Sequence, residues 1–421
     1  MMVGMKANLS PKPPHAPSAG KGLSWALLGV GVGAAAGSIF AGSVSALAAY
    51  FARRVVTPDA EPDQSLEILA LVPTAEGQDV ILSADKDSTA PGRYSLFFTA
   101  DTGHARLGEP KGYRLGDGTV TRAVEEIYFG DLSAAVRGRL SGIVYDSPED
   151  LGATYQDVEI PILGGLAPAW YIPGDTRADT WAICVHGRGA NRKEGLRALP
   201  VFEALGISAL LVSYRNDGVA PAAVDGRYGL GATEWPDIEA AIDHAVANGA
   251  QEILLFGWSM GGAIALQVAD RSRQARKIGA LVLDGPVINW IDVLSHQAKR
   301  NRIPEAVGDF GQWLLGNKAG RWMTGLAAPL DLKILNWVER HDQLRVPTLI
   351  LHSEDDDFVP IGPSEQLAAL NPQMVGLRRF SRAGHTREWN VDPQRWEAEV
   401  TAFVQGVLEA PRPGDNVGGP A

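Results

Sequence analysis

From about residue 157 the chain alternates between two periods, and nothing else in it limits the fold as strongly. The apolar runs AWYIP, WAICVH, ALLVSY, EILLFG, ALVLDG and TLILHS read as strands buried on both faces. Between them lie segments with helical spacing. In WPDIEAAIDHAVANG, Ile238, Ala241, Ile242, Ala245 and Val246 fall on one face, and Pro236 suits a first turn. Strand and helix in alternation demand a mostly parallel sheet covered by helices on both faces. Residues 287–345 interrupt the rhythm with mostly helical sequence holding Trp290, Trp313, Trp322 and Trp337. They read as an insertion that caps the sheet and shapes an apolar acyl site.

The residues ahead of this region have a different character. Over 60–156 the short runs LEILALV, RYSLFFT and EEIYFG are separated by Gly/Asp/Pro turns, which predicts a small β-rich region with one helix near DLSAAVRGRL. Its lone histidine, His104, is read as structural. Residues 1–22 are rich in Pro, Lys, Ala and Gly and are expected to be disordered. From Leu23 to Phe51 no residue is charged, a run long enough to cross a bilayer as a helix. Gly29, Gly33, Gly37, Ala41, Ser45 and Ala49 would line one stripe of that helix, a surface for a homodimer contact. A signal peptide cut after Ala46-Leu47-Ala48 is the competing reading. The tail over 410–421 is Pro/Gly-rich and expected to be flexible.

Charge separates the partners. The chain carries −11 overall, yet its five basic residues before Asp59 stand without an acid, so the rest carries −11 − 5 = −16. An acidic body excludes a nucleic-acid partner, which needs a basic face. A basic head followed by an apolar run points to a membrane through residues 23–51. Three Lys before the run and two Arg after it favour an extracytoplasmic body. The single cysteine, Cys184, excludes an intramolecular disulfide and a cysteine-based metal site.

Four motifs carry chemistry. GWSMGG places Ser259 between the run EILLF and the helical AIALQVAD. A sharp strand-to-helix turn strains its central residue, so its neighbours must be small, and it leaves the hydroxyl standing at a helix N-terminus. A serine hydroxyl needs a base, and the base an orienting carboxylate, in the chain order Ser, acid, His. Of the histidines after Ser259, His296 and His341 lie in the helical insertion and His352 ends an apolar run. His385, in the loop SRAGHTREW, has the expected place of the base. HSEDDDFVP offers four acids. Asp356 stands before Val359-Pro360 where the frequent H-G-x-x-D-x-x-V-P spacing sets its acid; a Ca²⁺ site would need more oxygen ligands at regular spacing. The gaps are 356 − 259 = 97 and 385 − 356 = 29 residues. An oxyanion hole completes the set: one donor from the N–H of Met260, the other from the loop CVHGRGANR, where the Arg188 N–H is favoured and His186 is read as a loop brace.

VHGRGANR, GWSMGG, HSEDDDFVP and AGHTREW, in that order, resemble the α/β-hydrolase superfamily, and within it the small-lid serine hydrolases with an H-G-x-x-x-N loop, Asn191 being its N. The resemblance covers about 157–409. It implies an α/β-hydrolase fold with a helical lid at about 287–345, a triad of Ser259, Asp356 and His385, and a hole formed by Arg188 and Met260. The sequence departs from the pattern at Ser353, where Gly is usual, and at Arg188, a bulky residue expected to narrow or charge the pocket. The expected activity is a carboxylesterase- or lipase-like serine hydrolase, membrane-anchored, acting on a small-molecule or lipid acyl ester with no metal or organic cofactor. An acyltransferase, a peptidase, and a non-catalytic membrane-tethered binding protein are the alternatives.

Overall fold

The computed structural model describes residues 45–58, 63–114 and 116–410. It opens on helix α1, over residues 45–56. The predicted membrane span falls across this boundary. Residues 1–44, with Gly29 to Ala41 of the small-residue stripe, lie outside the described residues, as do residues 411–421 of the tail. Residues 45–51 belong to α1. Ala48, Ala52 and Val56, each four apart, are buried in the main core, and Ala49 packs against it. The end of the uncharged run therefore belongs to a helix with one face docked on the protein. Among the described residues no helix is long and apolar enough to cross a membrane.

A six-stranded closed barrel follows, ordered β1-β2-β5-β4-β3-β6. Its strands are β1 Leu66–Thr74, β2 Gly77–Ser83, β3 Tyr94–Phe98, β4 Gly103–Arg114, β5 Thr119–Phe129 and β6 Arg137–Ser141. Leu82, Leu96, Phe98, Leu107 and Val120 fill it. The helix expected near DLSAAVRGRL does not form. Only a 3-10 turn, Leu132–Ala134, appears, capped by Asp131, whose side chain accepts the Ser133 N–H. Strand pairing overrides the local pattern there, because β6 closes the barrel between β3 and β1.

Eight strands form the second sheet, in the order β14-β13-β12-β11-β9-β10-β8-β7. β7 Gln156–Ile162 and β8 Gly165–Ile172 form an antiparallel edge, and β8 pairs antiparallel with β10 Ile207–Val212. From β10 onward every pair is parallel, through β9 Arg177–Val185, β11 Glu252–Trp258, β12 Ile278–Asp284, β13 Thr348–Ser353 and β14 Val375–Phe380. β10, β11 and β13 are buried along nearly their whole length. Two separate apolar clusters explain this. One packs α3 Trp235–Ala247 and α4 Met260–Arg271 on one face; the other packs α2 Leu199–Leu205 and α10 Pro393–Glu409 on the opposite face.

The insertion supplies α5 Trp290–Arg300, α6 Glu305–Gly316 and α7 Arg321–Thr324. Its tryptophans do not converge on an acyl site. Trp290 and Trp337 are buried in the core, the former donating its indole N–H to the Leu230 carbonyl at 2.8 Å. Trp313 and Trp322 are exposed, the second almost fully. After the insertion come α8 Gly362–Leu370 and the short α9 Glu388–Val391.

Candidate active site

The site sits at the C-terminal ends of β9, β11 and β13. Ser259 joins β11 to α4 with φ 52° and ψ −115°, a backbone region that costs about 1–3 kcal/mol for a non-glycine residue. The surroundings hold it there. Its N–H donates to Asp284 at the end of β12 (3.0 Å), and its carbonyl accepts from Val287 (3.1 Å) and Gly262 (3.0 Å). Two glycines make the turn sterically possible. A Cβ on Gly257 would stand 2.7 Å from the Gly261 carbonyl oxygen, and one on Gly261 would stand 2.0 Å from that of Val185. The elbow therefore presses directly on the end of β9.

The structure brings together the three side chains singled out by spacing. His385 Nδ1 lies 2.7 Å from Asp356 Oδ2, and His385 Nε2 lies 2.7 Å from Ser259 Oγ. An ionised carboxylate only accepts, so Nδ1 carries the ring proton and Nε2 is left to accept the serine O–H. Burial pushes the Asp356 carboxyl upward, but the His385 and His352 rings outweigh it and hold the acid well below the usual carboxylate range. Its other oxygen accepts the N–H groups of Phe358 and Val359, both at 2.9 Å. An imidazole so placed can take the hydroxyl proton, while the carboxylate fixes its orientation.

Other histidines and acids find different work. His352 is fully buried, bonded to Ser364 Oγ (2.8 Å) and the Val359 carbonyl (3.1 Å), with Nε2 3.4 Å from Asp356, so it braces the acid. His296 reaches the Asp357 carbonyl at 3.1 Å, and His341 lies in a 3-10 turn, its carbonyl accepting from the Asn371 side chain at 2.8 Å. The remaining acids of HSEDDDFVP disperse: Asp357 pairs with Lys86 and Arg300, and Asp355 accepts the Arg382 N–H at 2.6 Å. His104 belongs to a second Ser-His-Asp array on the outward face of the barrel wall, opposite the side chains that fill it, with Ser95 Oγ 2.6 Å from Nε2 and Asp146 3.5 Å from Nδ1. The nearby His104 ring, with Lys193, holds Asp146 down at about 2. Ser95 and His104 are both completely buried, and the imidazole stacks on Phe97, so this array is sealed from any substrate.

The loop after β9 carries the other candidate donors. Gly187 is fixed at both ends of its peptide units. Its N–H donates to Glu194 Oε2 (2.7 Å), while its carbonyl accepts from His186 Nδ1 (2.9 Å) and Ala190 N–H (3.3 Å). Since the next peptide is planar and trans, holding that carbonyl also directs the Arg188 N–H the opposite way. Asn191 accepts the Lys193 N–H and caps the following turn. Met260 is the first residue of α4, where N–H groups lack intrahelical acceptors. Arg188 lines the cleft beside His385, while its guanidinium turns to the C-terminal end of α1.

Sequence reasoning missed the ties beneath these loops. Glu194 and Arg197 are buried and paired at 3.3 Å. Arg197 also donates to the Thr386 carbonyl (2.8 Å) and to Asn390 Oδ1 (2.9 Å), linking the Gly187 loop to the His385 loop. The capping geometry was visible, since Glu194 follows Asn191 by three, but charged residues in a loop read as solvated. The barrel reaches the same place. Arg387 pairs with Asp87, and Asn390 exchanges bonds with Arg93 at 2.7 and 3.1 Å. Two clefts of about 410 and 490 Å³, each lined by several charged residues, meet at His385 and Arg387. Arg139 and Ser141 of the barrel wall the first; Lys86 of the barrel and Arg300 of α5 wall the second.

Family models match both parts of the chain. A domain of unknown function matches residues 67–141, the barrel. Pimeloyl-acyl-carrier protein methyl ester esterase of Aromatoleum aromaticum is 26% identical over 186 residues, 36% of this chain and 73% of that protein. An uncharacterized protein of Mycobacterium tuberculosis is 27% identical over 218 residues, 49% of this chain and 62% of that one. Among solved structures, an esterase of Pyrococcus furiosus aligns with TM-score 0.48 at 19% identity, over 62% of this chain and 96% of its own. A membrane phospholipase A aligns at 0.43 and 19%, over 64% and 95%. The alpha/beta hydrolase family model matches residues 182–400, more than half of the chain, and the protein belongs to that family.

Proposed function

We propose that the protein is a serine hydrolase that cleaves an acyl ester through an acyl-enzyme. One observation carries the reading: the unbroken hydrogen-bonded line Asp356–His385–Ser259, with both links at 2.7 Å, ending on a serine held in a strained turn. Ser259 Oγ adds to the ester carbonyl carbon as its proton passes to His385 Nε2. The N–H groups of Met260 and Arg188 receive the oxyanion. Collapse expels the alcohol, which takes the proton from His385, and water then repeats the sequence to release the acid. Asp356 stays ionised throughout, consistent with the low range in which the two histidines hold it.

The leaving alcohol departs on the histidine side, where the two clefts lined by charged residues meet. That feature favours an alcohol bearing hydrogen-bonding groups, and it gives substance to one second reading, an acyltransferase in which a polar alcohol enters the same clefts in place of water. The body is proposed to stand at the outer face of a membrane. Residues 23–44, which number 44 − 23 + 1 = 22 and carry no charge, remain long enough to span once α1 is set aside.

The test is a chain-length series of p-nitrophenyl esters, run with and without glycerol, on the wild type and Ser259→Ala. Turnover that vanishes in the variant supports the reading; turnover that persists refutes it. Glycerol ester in place of free acid would favour the transferase.

A further inference from the structure

The side chain of Arg188 ties the candidate oxyanion loop to a segment more than 130 residues earlier. Its Nε donates to the Val55 carbonyl at 3.0 Å, and Nη2 donates to those of Arg54 (3.1 Å) and Thr57 (2.9 Å). The Val55 and Arg54 carbonyls belong to the last turn of α1, where carbonyls have no partner within the helix, and Thr57 follows directly; the partial negative charge there favours a guanidinium. The same end is held from a second direction. The Tyr228 N–H donates to the Val56 carbonyl (2.8 Å), Arg227 donates to Thr57 Oγ1 (2.8 Å), and the Arg188 guanidinium lies 5.4 Å from the Tyr228 ring centre. Along its length α1 buries Ala48, Ala52 and Val56 in the core shared with α4 and the insertion helices.

We infer that α1 is a structural part of the active site and that Arg188 is a positioning residue acting through it. The inference rests on the reading of Ser259 as nucleophile and of the Arg188 N–H as an oxyanion donor. Gly187 fixes the direction of that N–H, as its carbonyl is bonded to His186 and Ala190. Its location depends on what holds residue 188 itself. The next residue, Gly189, has φ +71° and no neighbour near a Cβ position, so the loop is open on that side. The arginine stem, anchored on three carbonyls at the C-terminal end of α1, two within it and Thr57 just beyond, supplies the constraint. The uncharged run that starts at Leu23 passes directly into this helix in sequence. A displacement of that run would therefore reach the oxyanion loop with one side chain between them.

The experiment is a double-variant cycle in the full chain, with steady-state ester kinetics and melting temperature as readouts. Arg188→Met removes the guanidinium and keeps the stem; Ala52→Arg crowds α1 out of its groove without touching the loop. Loss of one oxyanion donor typically costs about 10²–10³ in kcat, so a displaced donor is expected to lose roughly 10–100-fold, with KM within about twofold. The double variant should be no slower than the slower single one, and Arg188→Lys should recover part of the rate. Should Ala52→Arg not fold, Val56→Ala takes its place. Arg188→Met at wild-type kcat overturns the inference. So does a double variant whose losses multiply, or a rise in KM with kcat unchanged, which would make Arg188 a substrate contact. Ser259→Ala in the same assay separates the two levels: turnover surviving there defeats the nucleophile reading, whereas a dead Ser259→Ala beside an unimpaired Arg188→Met defeats only the role of α1.

Discussion

Replacing Glu194 by alanine should damage both stability and rate, and the structure sets the size of the loss. Glu194 is 6% exposed and Arg197 1%. The carboxylate accepts the Gly187 N–H and pairs with Arg197. Its removal orphans a buried N–H, worth about 1–3 kcal/mol, and leaves a buried guanidinium without its counter-charge, worth about 3–5 kcal/mol. The two terms share one environment and do not add. Arg197 also keeps its bonds to Thr386 and Asn390, so the lower end, about 3 kcal/mol, is expected. At about 2 °C per kcal/mol for a chain of this size, the melting temperature should fall by about 6 °C. Glu194→Gln retains an acceptor for Gly187 and should lose about half as much. Because Gly187 neighbours the Arg188 peptide, kcat should fall in Glu194→Ala and recover partly in Glu194→Gln. Differential scanning fluorimetry with ester kinetics measures both. Glu194→Ala melting within 1 °C of wild type, or Glu194→Gln as damaged as alanine, would refute the argument that this carboxylate sets the loop.

Two further outcomes follow from the same packing. Gly261→Ala drives a Cβ to 2.0 Å from the Val185 oxygen and 2.6 Å from that of His186; overpacking of this kind costs about 1–3 kcal/mol or more, so a lowered melting temperature with lost turnover is expected, and wild-type values for both would contradict it. Glu388 is fully buried; burial first, then the charge of Asp284, raises its carboxyl well above the usual range. A folded-state pKa above the unfolded one means the folded form holds the proton longer. That stabilisation is complete below the unfolded value near 4.5 and is lost as pH rises toward the folded one. Glu388→Gln, neutral at every pH, should flatten the decline of melting temperature above that point; an unchanged slope would contradict the assignment.

Much of this was legible because apolar patterning and motif spacing are local. The six runs read as strands occupy β8 to β13 of the eight-stranded sheet, and the spacing that selected Asp356 and His385 selected side chains that meet. The helix expected near Asp131 failed where the partner was distant: Gly138 and Leu140 pair with Phe98 and Leu96 some 40 residues earlier, and no local pattern carries that information. The buried pair Glu194–Arg197 was hidden because charge in a loop ordinarily means solvent. Helix α1 was hidden for the converse reason. An uncharged run reads alike whether its face meets lipid or protein, and only the packed structure shows Ala48, Ala52 and Val56 on the core.

Labelling with a fluorophosphonate, followed by peptide mapping in a mass spectrometer, tests the central assignment most directly. The adduct should fall on Ser259 alone, disappear in Ser259→Ala, and form far more slowly in His385→Ala, whose serine has lost the acceptor 2.7 Å away. An adduct on Ser95, or on any residue that survives Ser259→Ala, would contradict it.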